Sequence, residues 1–185
     1  DVCSSDLLNN HYYATLIQRA SIILGKLMIE NAKQQQRFSE DPAFRDLAKA
    51  VIKKVAWINN AYALKNMLLM LYFLTFNNKI CIEVIMRDKE LYTLISDQLY
   101  FENAEVKETT LQIIHMFMGQ TIRKPKLHLN MFKITDHDGI LKINALFQLL
   151  NEKITLQKQA YTTAILLIFF GHHHQASIPR VIFHP

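Results

Sequence analysis

A pattern of predicted helices recurs along the chain and constrains its fold more than any other feature. In its clearest copy, residues 59–117, apolar residues at helical spacing indicate a long, a short, a medium and again a long helix. The long helix over 61–76 is apolar almost all round, which is typical of a helix buried on several sides. Weaker copies flank it. Because no unit can hide its apolar face alone, we expect the units to stack on one another.

The copies align at nearly constant spacing. Phe44 and Leu47 of one copy align with Leu91 and Leu94 of the next, and these align with Ile140 and Ile143. Successive pairs lie about 47 and 49 residues apart, close to helical repeats of about 40 to 47 residues. A small residue recurs early in each long helix, where it would let successive layers pack closely: Ala20, Ala61, Thr110 and Ala160.

Capping residues predict where several helices begin and end. Asp41 followed by Pro42 predicts a helix start, with Asp41 as the N-cap and Pro42 in the first turn. Asp88 and Asn103 are expected to cap two later helices. Gly119 is expected to end the helix that follows Asn103.

The N-terminal part of the chain carries further local predictions. A helix is expected over 10–31, in which Gly25 costs about 1 kcal/mol relative to Ala but allows a neighbouring helix to approach closely. The polar run 31–37 predicts a turn or a short helix entry. The predicted apolar face of the first helix consists of Leu16, Ile17, Ala20, Ile23, Leu24, Leu27 and Met28. Three lysines of the next helix are expected on a solvated face: Lys49, Lys53 and Lys54.

The composition favours helices and excludes a disordered chain. Four Gly and four Pro are fewer than turn-rich β architectures need, and half of the residues are hydrophobic. The longest apolar runs, 67–76 and 164–170, fall short of the roughly 18 to 20 residues of a membrane span, and neither follows a signal-peptide pattern. Cys81 lies in an apolar run, which predicts a reduced interior thiol. We therefore expect a soluble intracellular protein.

The repeat also predicts how the chain is divided. Residues 1–7 resemble the in-frame translation of a sequencing adapter and are interpreted as non-native, so we expect the chain to be a fragment of something longer. The predicted divisions are a partial unit at 8–30, units at about 31–76, 77–119 and 120–171, and a tail or truncated further repeat at 172–185.

The repeated unit resembles the armadillo repeat. Residues 85–117 read IMRDKELYTLISDQLYFENAEVKETTLQIIHMF, which is similar to that repeat's short helix, turn, second helix, acidic turn and long third helix. Residues 134–170 resemble it again, including a Gly139 before the second helix, and 37–74 form a looser copy. The resemblance covers residues 12–171 through a hydrophobic pattern. It implies an all-α, right-handed α-solenoid.

The resemblance also implies a noncatalytic function. Armadillo proteins hold extended peptides or partner proteins against their long third helices, so it implies a protein or peptide partner along the concave surface. The expected partner-binding residues are Asn66, Gln112, His115, Tyr161 and Thr162. Of the Trp and Asn ladder of the nuclear-import receptors, Tyr62 and Asn66 approximate one rung, and the chain departs from the ladder elsewhere.

Two other functions stay open at this point. One is a nucleic-acid-binding helical repeat, because a basic segment could contact phosphates through Arg123, Lys124 and Lys126. We expect nucleic acid to be the weaker candidate, since this segment offers few aromatic side chains for base stacking. The other is a regulatory or docking segment of a larger enzyme.

No sequence pattern predicts a catalytic, metal or cofactor site. The chain has no Gly-rich phosphate loop, no Cys-x-x-Cys pair and no Gly-x-Ser-x-Gly. The segment 136–139 resembles part of a calcium loop, but Ile134 and Ala145 stand where its essential carboxylates belong. The histidines at 172–174 have no Cys, Asp or Glu nearby to complete a metal site. We therefore predict a protein that is not an enzyme and carries no cofactor.

Overall fold

The computed structural model describes residues 2–120 and, further along the chain, positions 146, 150, 159 and 161–166. Every regular element in these parts is helical, which confirms the all-α prediction. The helices are α1 (Val2–Met28), α2 (Ala32–Glu40), α3 (Pro42–Trp57), α4 (Ala61–Thr75), α5 (Lys79–Arg87), α6 (Lys89–Asp97) and α7 (Ala104–Gln120), with a short 3-10 helix at Gln98–Tyr100. None of them is both long and apolar enough to cross a membrane.

The helices after α1 form two similar groups, and each helix packs on its counterpart in the other group. We call α2, α3 and α4 the first helix group and α5, α6 and α7 the second. Helix α2 packs on α5, α3 on α6, and α4 on α7, while α1 also packs on α4. Helix α4 thereby contacts α1, α2, α3, α5 and α7. This confirms the prediction of an inner helix between neighbours, and its side chains Leu64, Leu68, Leu71 and Leu74 are fully buried.

The predicted capping residues start their helices as expected. Asp41 accepts a hydrogen bond at 2.9 Å from the backbone N–H two residues ahead, and Pro42 is the first residue of α3. Asp88 accepts one at 3.1 Å from the N–H three residues ahead. Asn103 accepts two, at 2.9 and 3.2 Å, from the first turn of α7. Each cap satisfies backbone donors that have no partner inside the helix.

Asn caps that sequence analysis did not assign begin three further helices. Asn31, Asn60 and Asn78 each accept a hydrogen bond from the N–H three residues ahead, at 3.2, 2.9 and 3.3 Å. The residue before each cap has a left-handed backbone: Glu30, Asn59 and Asn77, with φ of 58, 52 and 54°. Asn tolerates this conformation better than most residues, so the Asn-Asn pairs reverse the chain without glycine.

The order of capping residues repeats between the two helix groups. Each group uses Asn, then Asp, then Asn to begin its three helices. The first two pairs of equivalent caps are 47 residues apart and the third pair is 43 apart. The first two spacings equal the spacing of about 47 residues predicted between the first two copies, and the third is four residues shorter. The capping residues give this spacing independently of the hydrophobic pattern.

Several predicted boundaries were wrong. Helix α1 begins at Val2 rather than near residue 10, and it includes residues that were interpreted as adapter-derived. The polar run 31–37 belongs to a complete helix, α2, because Asn31 caps it. Gly119 does not end α7, which continues to Gln120. A glycine that ends a helix adopts positive φ, and among the described residues no glycine does so.

The predicted apolar face of α1 is buried only in part. Met28 is fully buried, but Leu16, Ile23 and Leu27 are more than half exposed. Gly25 faces α4, where a Cβ would lie 3.3 Å from Cδ2 of Phe73 and 3.7 Å from Cα of Met70. The prediction that Gly25 permits a close approach is therefore confirmed.

The solvated lysine face predicted for α3 is found only in part: Lys53 is 55% exposed, but Lys49 is only 15% exposed, and both interact with α6. Lys49 lies 3.4 Å from the Asp88 carboxylate and 3.5 Å from that of Glu90, and Lys53 pairs with Glu90 at 2.6 Å. The hydrogen bond from Lys53 lowers the pKa of Glu90. Lys54 stands over the ring of Trp57, 4.3 Å from its centroid. Lys49 and Lys53 thus link α3 to α6, which hydrophobic periodicity does not indicate.

A buried amide joins the two helix groups. Gln35 of α2 is 3% exposed, and its Nε2 donates hydrogen bonds to the carbonyl oxygens of Phe73 at 2.8 Å and Phe76 at 3.2 Å. Its Oε1 accepts a hydrogen bond from Nδ2 of Asn78 at 3.1 Å, the residue that caps α5. Gln35 therefore satisfies carbonyls at the end of α4 that helix geometry leaves without partners.

We predict that Gln35→Ala lowers the free energy of unfolding by about 1–3 kcal/mol, because it leaves buried carbonyls without donors. The measurement is urea denaturation followed by circular dichroism. Gln36→Ala is the matched control, since Gln36 is exposed on the same helix and, within the described structure, its side chain bonds only to Glu40. Its effect should stay within about 0.5 kcal/mol. Equal stability of the two variants would show that the Gln35 bridge contributes nothing.

Candidate partner-binding surface

A groove of about 250 Å³ separates α1 from α4 on one side of the molecule. Helix α1 contributes Ser21, Ile22, Gly25 and Lys26, the turn after it contributes Ile29, and α4 contributes Asn66, Leu69, Met70 and Phe73. The lining is mostly apolar and includes one amide and one ammonium group. A groove of this kind binds side chains by burial and fixes their orientation through a few polar contacts.

Asn66 is the predicted site residue that lines this groove. Its Nδ2 donates a hydrogen bond to the carbonyl oxygen of Tyr62, one turn earlier, at 2.8 Å. Within the described residues its Oδ1 accepts no hydrogen bond. Tyr62 is 57% exposed beside it. Asn66 therefore presents a free acceptor, and one free amide hydrogen, at a half-buried position.

The same face continues from α4 onto α7. Leu69 lies nine residues after the capping residue Asn60, and Gln112 lies nine residues after Asn103, so the two occupy equivalent positions. Helices α4 and α7 pack on each other. Gln112 is half-buried, and its amide makes no hydrogen bond to any residue that the structure describes. Gln112 therefore also has unused donors and acceptors.

Aromatic rings extend this face to the helical residues 161–166. Tyr72 of α4 and His115 of α7 are equivalent by the same count, and the rings of His115 and Tyr161 lie 5.1 Å apart. Burial lowers the pKa of His115. Burial also raises the pKa of Tyr72, and nearby Tyr161 raises it further. We call Ile22, Asn66, Leu69, Gln112, His115 and Tyr161 the long-helix surface.

Of the other predicted site residues, Thr162 does not join this surface. Thr162 is completely buried, whereas its neighbour Tyr161 is half-buried. The basic segment with Arg123, Lys124 and Lys126 lies outside the described residues. Near the surface, Lys65 of α4 pairs with Glu105 of α7 at 2.8 Å, so these two charges offset each other.

The described residues offer little to catalysis or metal binding. Cys81 is free and buried, and burial raises the pKa of its thiol, so the nucleophilic thiolate is disfavoured at neutral pH. Across residues 2–120 and the described positions beyond them, no three His, Cys, Asp or Glu side chains group closely enough to hold a metal ion.

Comparisons of the chain with protein-family models, curated proteins and solved structures found no match. The long-helix surface is therefore interpreted from its own geometry.

Sequence analysis missed the α1 side of the groove. The seven residues that it predicted for the apolar face of α1, from Leu16 to Met28, do not include Ile22 and Ile29, which line the groove. Ile29 lies seven residues after Ile22, in the turn that follows α1, and this spacing within the predicted helix 10–31 was a usable signal. The signal was weak because apolar residues occur on more than one side of α1, including the exposed Leu16 and Ile23.

We predict that His115 makes stability depend on pH. Because its pKa in the fold is lowered from 6.5, the unfolded chain binds the proton more readily. The contribution of neutral His115 to the free energy of unfolding is therefore fully present above about pH 6.5. It is lost as pH falls from there toward the lowered pKa. His115→Phe removes this dependence, so the variant should gain stability relative to the wild type as pH falls from about 7.5 to 5.5. Parallel urea titrations at both pH values test this, and a constant difference would contradict it.

Proposed function

We propose that this chain is a noncatalytic binding protein, an armadillo-type right-handed α-solenoid that holds an extended peptide along its long-helix surface. The peptide can be free or part of a partner protein. Two observations support the fold. The first, second and third helices of one group pack on the first, second and third helices of the other. The capping residues of the two groups also recur in the same order. Both are properties of stacked repeats, in which each unit contacts chiefly its neighbours.

The observation that carries the binding function is the pair of unsatisfied amides on adjacent long helices. Asn66 and Gln112 are half-buried, and each keeps hydrogen-bonding groups that no described residue uses. A peptide in extended conformation leaves its backbone N–H and C=O groups free, and side-chain amides can pair with both. A bound peptide backbone would pair with these amide groups in place of solvent.

The spacing of the long helices suits this mode of binding. Packed helices lie about 8–10 Å apart, and an extended chain rises about 3.3 Å per residue. Successive amides would therefore meet the peptide about every third residue. Near Asn66, Leu69 and Phe73 offer apolar surface, and the groove of about 250 Å³ between α1 and α4 provides room for a peptide side chain.

We predict that removing both amides weakens peptide binding by about ten- to thirtyfold, because two hydrogen bonds of about 1 kcal/mol each are lost. Peptides would be selected against the wild-type chain from a random display library, and their Kd measured by fluorescence anisotropy. The variant is Asn66→Ala with Gln112→Ala.

The matched control removes two amides from α2, Gln34→Ala with Gln36→Ala, and should leave Kd unchanged. Unchanged affinity of the Asn66→Ala, Gln112→Ala variant would contradict the proposal. So would a selection that yields no peptide while single-stranded RNA binds with strong salt dependence, since that behaviour indicates phosphate contacts.

A further inference from the structure

A second apolar surface lies on α1, away from the groove that Asn66 lines. Tyr12, Leu16, Ile23 and Leu27 are 74, 54, 59 and 58% exposed. Their spacings of four, seven and four residues place them in one stripe along the helix. Single exposed apolar residues are ordinary, but a continuous stripe of four large ones indicates an interaction site.

The stripe borders an apolar groove of about 80 Å³ between α1 and α3. Met67 and Met70 of α4 contribute to its lining, and Leu47 of α3 is 61% exposed beside it. The other lining residues are Ile17, Ala20, Ser21, Leu24, Phe44, Ala48 and Val51. We call the stripe and this groove together the α1–α3 face. It has the form of a site for apolar side chains from an added helix.

Cations flank this face. Arg19 is three residues from Leu16 and four from Ile23, so its side chain lies beside the stripe, and Lys26 lies beside Ile23 in the same way. Neither makes an ion pair with a described residue. On the α3 side, Lys54 follows Val51 by three residues. Glu30, near the end of the stripe, is the one acidic side chain between residues 9 and 30 of α1 and the turn after it.

We propose that the α1–α3 face binds an amphipathic helix of a partner protein, with apolar residues at i, i+3, i+4 and i+7 and with Asp or Glu beside them. The apolar residues cover the stripe and enter the groove. The acidic residues pair with Arg19, Lys26 and Lys54. This binding mode differs from the extended peptide at Asn66. The exposed stripe on α1 does not line the Asn66 groove, although Lys26 borders both surfaces.

The charges also argue against a second copy of this chain as the occupant. The stripe is symmetric about residues 19 and 20, so two copies packed antiparallel would pair Leu16 with Ile23. That arrangement places the two Arg19 side chains beside each other at its centre. Like charges disfavour this contact, whereas an acidic helix removes the conflict.

The test uses two synthetic helical peptides with identical leucines, one flanked by Glu and the other by Lys. We expect the Glu-flanked peptide to bind with a Kd at least about tenfold lower in anisotropy titrations at low salt. Leu47→Glu should weaken its binding by about tenfold or more, and Arg19→Glu with Lys54→Glu should remove the preference. The matched control is Ile80→Glu on α5, where Ile80 is 56% exposed, and it should change nothing.

The proposal is overturned if neither peptide binds, if the Lys-flanked peptide binds as well, or if Leu47→Glu has no more effect than Ile80→Glu. Sedimentation that shows a dimer, abolished by Leu16→Glu, with no peptide binding would assign the face to a second copy instead. The Asn66→Ala, Gln112→Ala variant should bind the Glu-flanked peptide normally. Failure of either surface can therefore be recognised separately.

Discussion

Helix α4 carries apolar side chains around nearly all of its circumference, and the rest of the structure follows from the need to bury them. Five other helices contact it, and its most extensive packing is against α1 and α7. Burial of apolar area is the main favourable contribution to folding, at about 25 cal/mol per Å². No single neighbour could bury a helix of this kind. The chain therefore places further helices of similar length beside α4, and the shorter helices of each group follow the same order.

The contacts between the two helix groups differ in chemistry from pair to pair. The long helices α4 and α7 meet through apolar side chains, with the Lys65–Glu105 ion pair beside them. Helices α3 and α6 are joined by Lys49 and Lys53 to acidic residues, and α2 reaches α4 and α5 through the Gln35 amide. Apolar burial supplies most of the attraction, while the directional polar contacts specify which helices are neighbours. The same surfaces leave two faces uncovered, one with unsatisfied amides and one with an apolar stripe.

The features that could be predicted from the sequence are those set by residues close together in the chain, namely the helices and their caps. Helical periodicity located α3, α4, α6 and α7, and the caps at Asp41, Asp88 and Asn103 were recognisable because a capping side chain acts on its own helix. The hydrogen bonds of Gln35 and the pairing of Lys49 with α6 were both missed, because their partners lie about 40 residues away along the chain. On the long-helix surface, Asn66 and Gln112 were predicted from helix order. The α1 residues near Asn66 were not, because apolar residues on more than one side of a helix do not indicate which side a neighbour covers.

If the layers depend on one another, a disturbance between α1 and α4 must reach α4 itself. Gly25→Leu tests this directly, because the new side chain would meet the Phe73 ring where a Cβ alone lies 3.3 Å away. Hydrogen–deuterium exchange of the α4 amides is the decisive measurement, with Gly119→Ala as the control, since no atom lies within 4 Å of a Cβ there. Mutual dependence predicts that Gly25→Leu accelerates exchange in α1 and α4 together while the control does not. Faster exchange confined to α1, with α4 as protected as in the wild type, would contradict it.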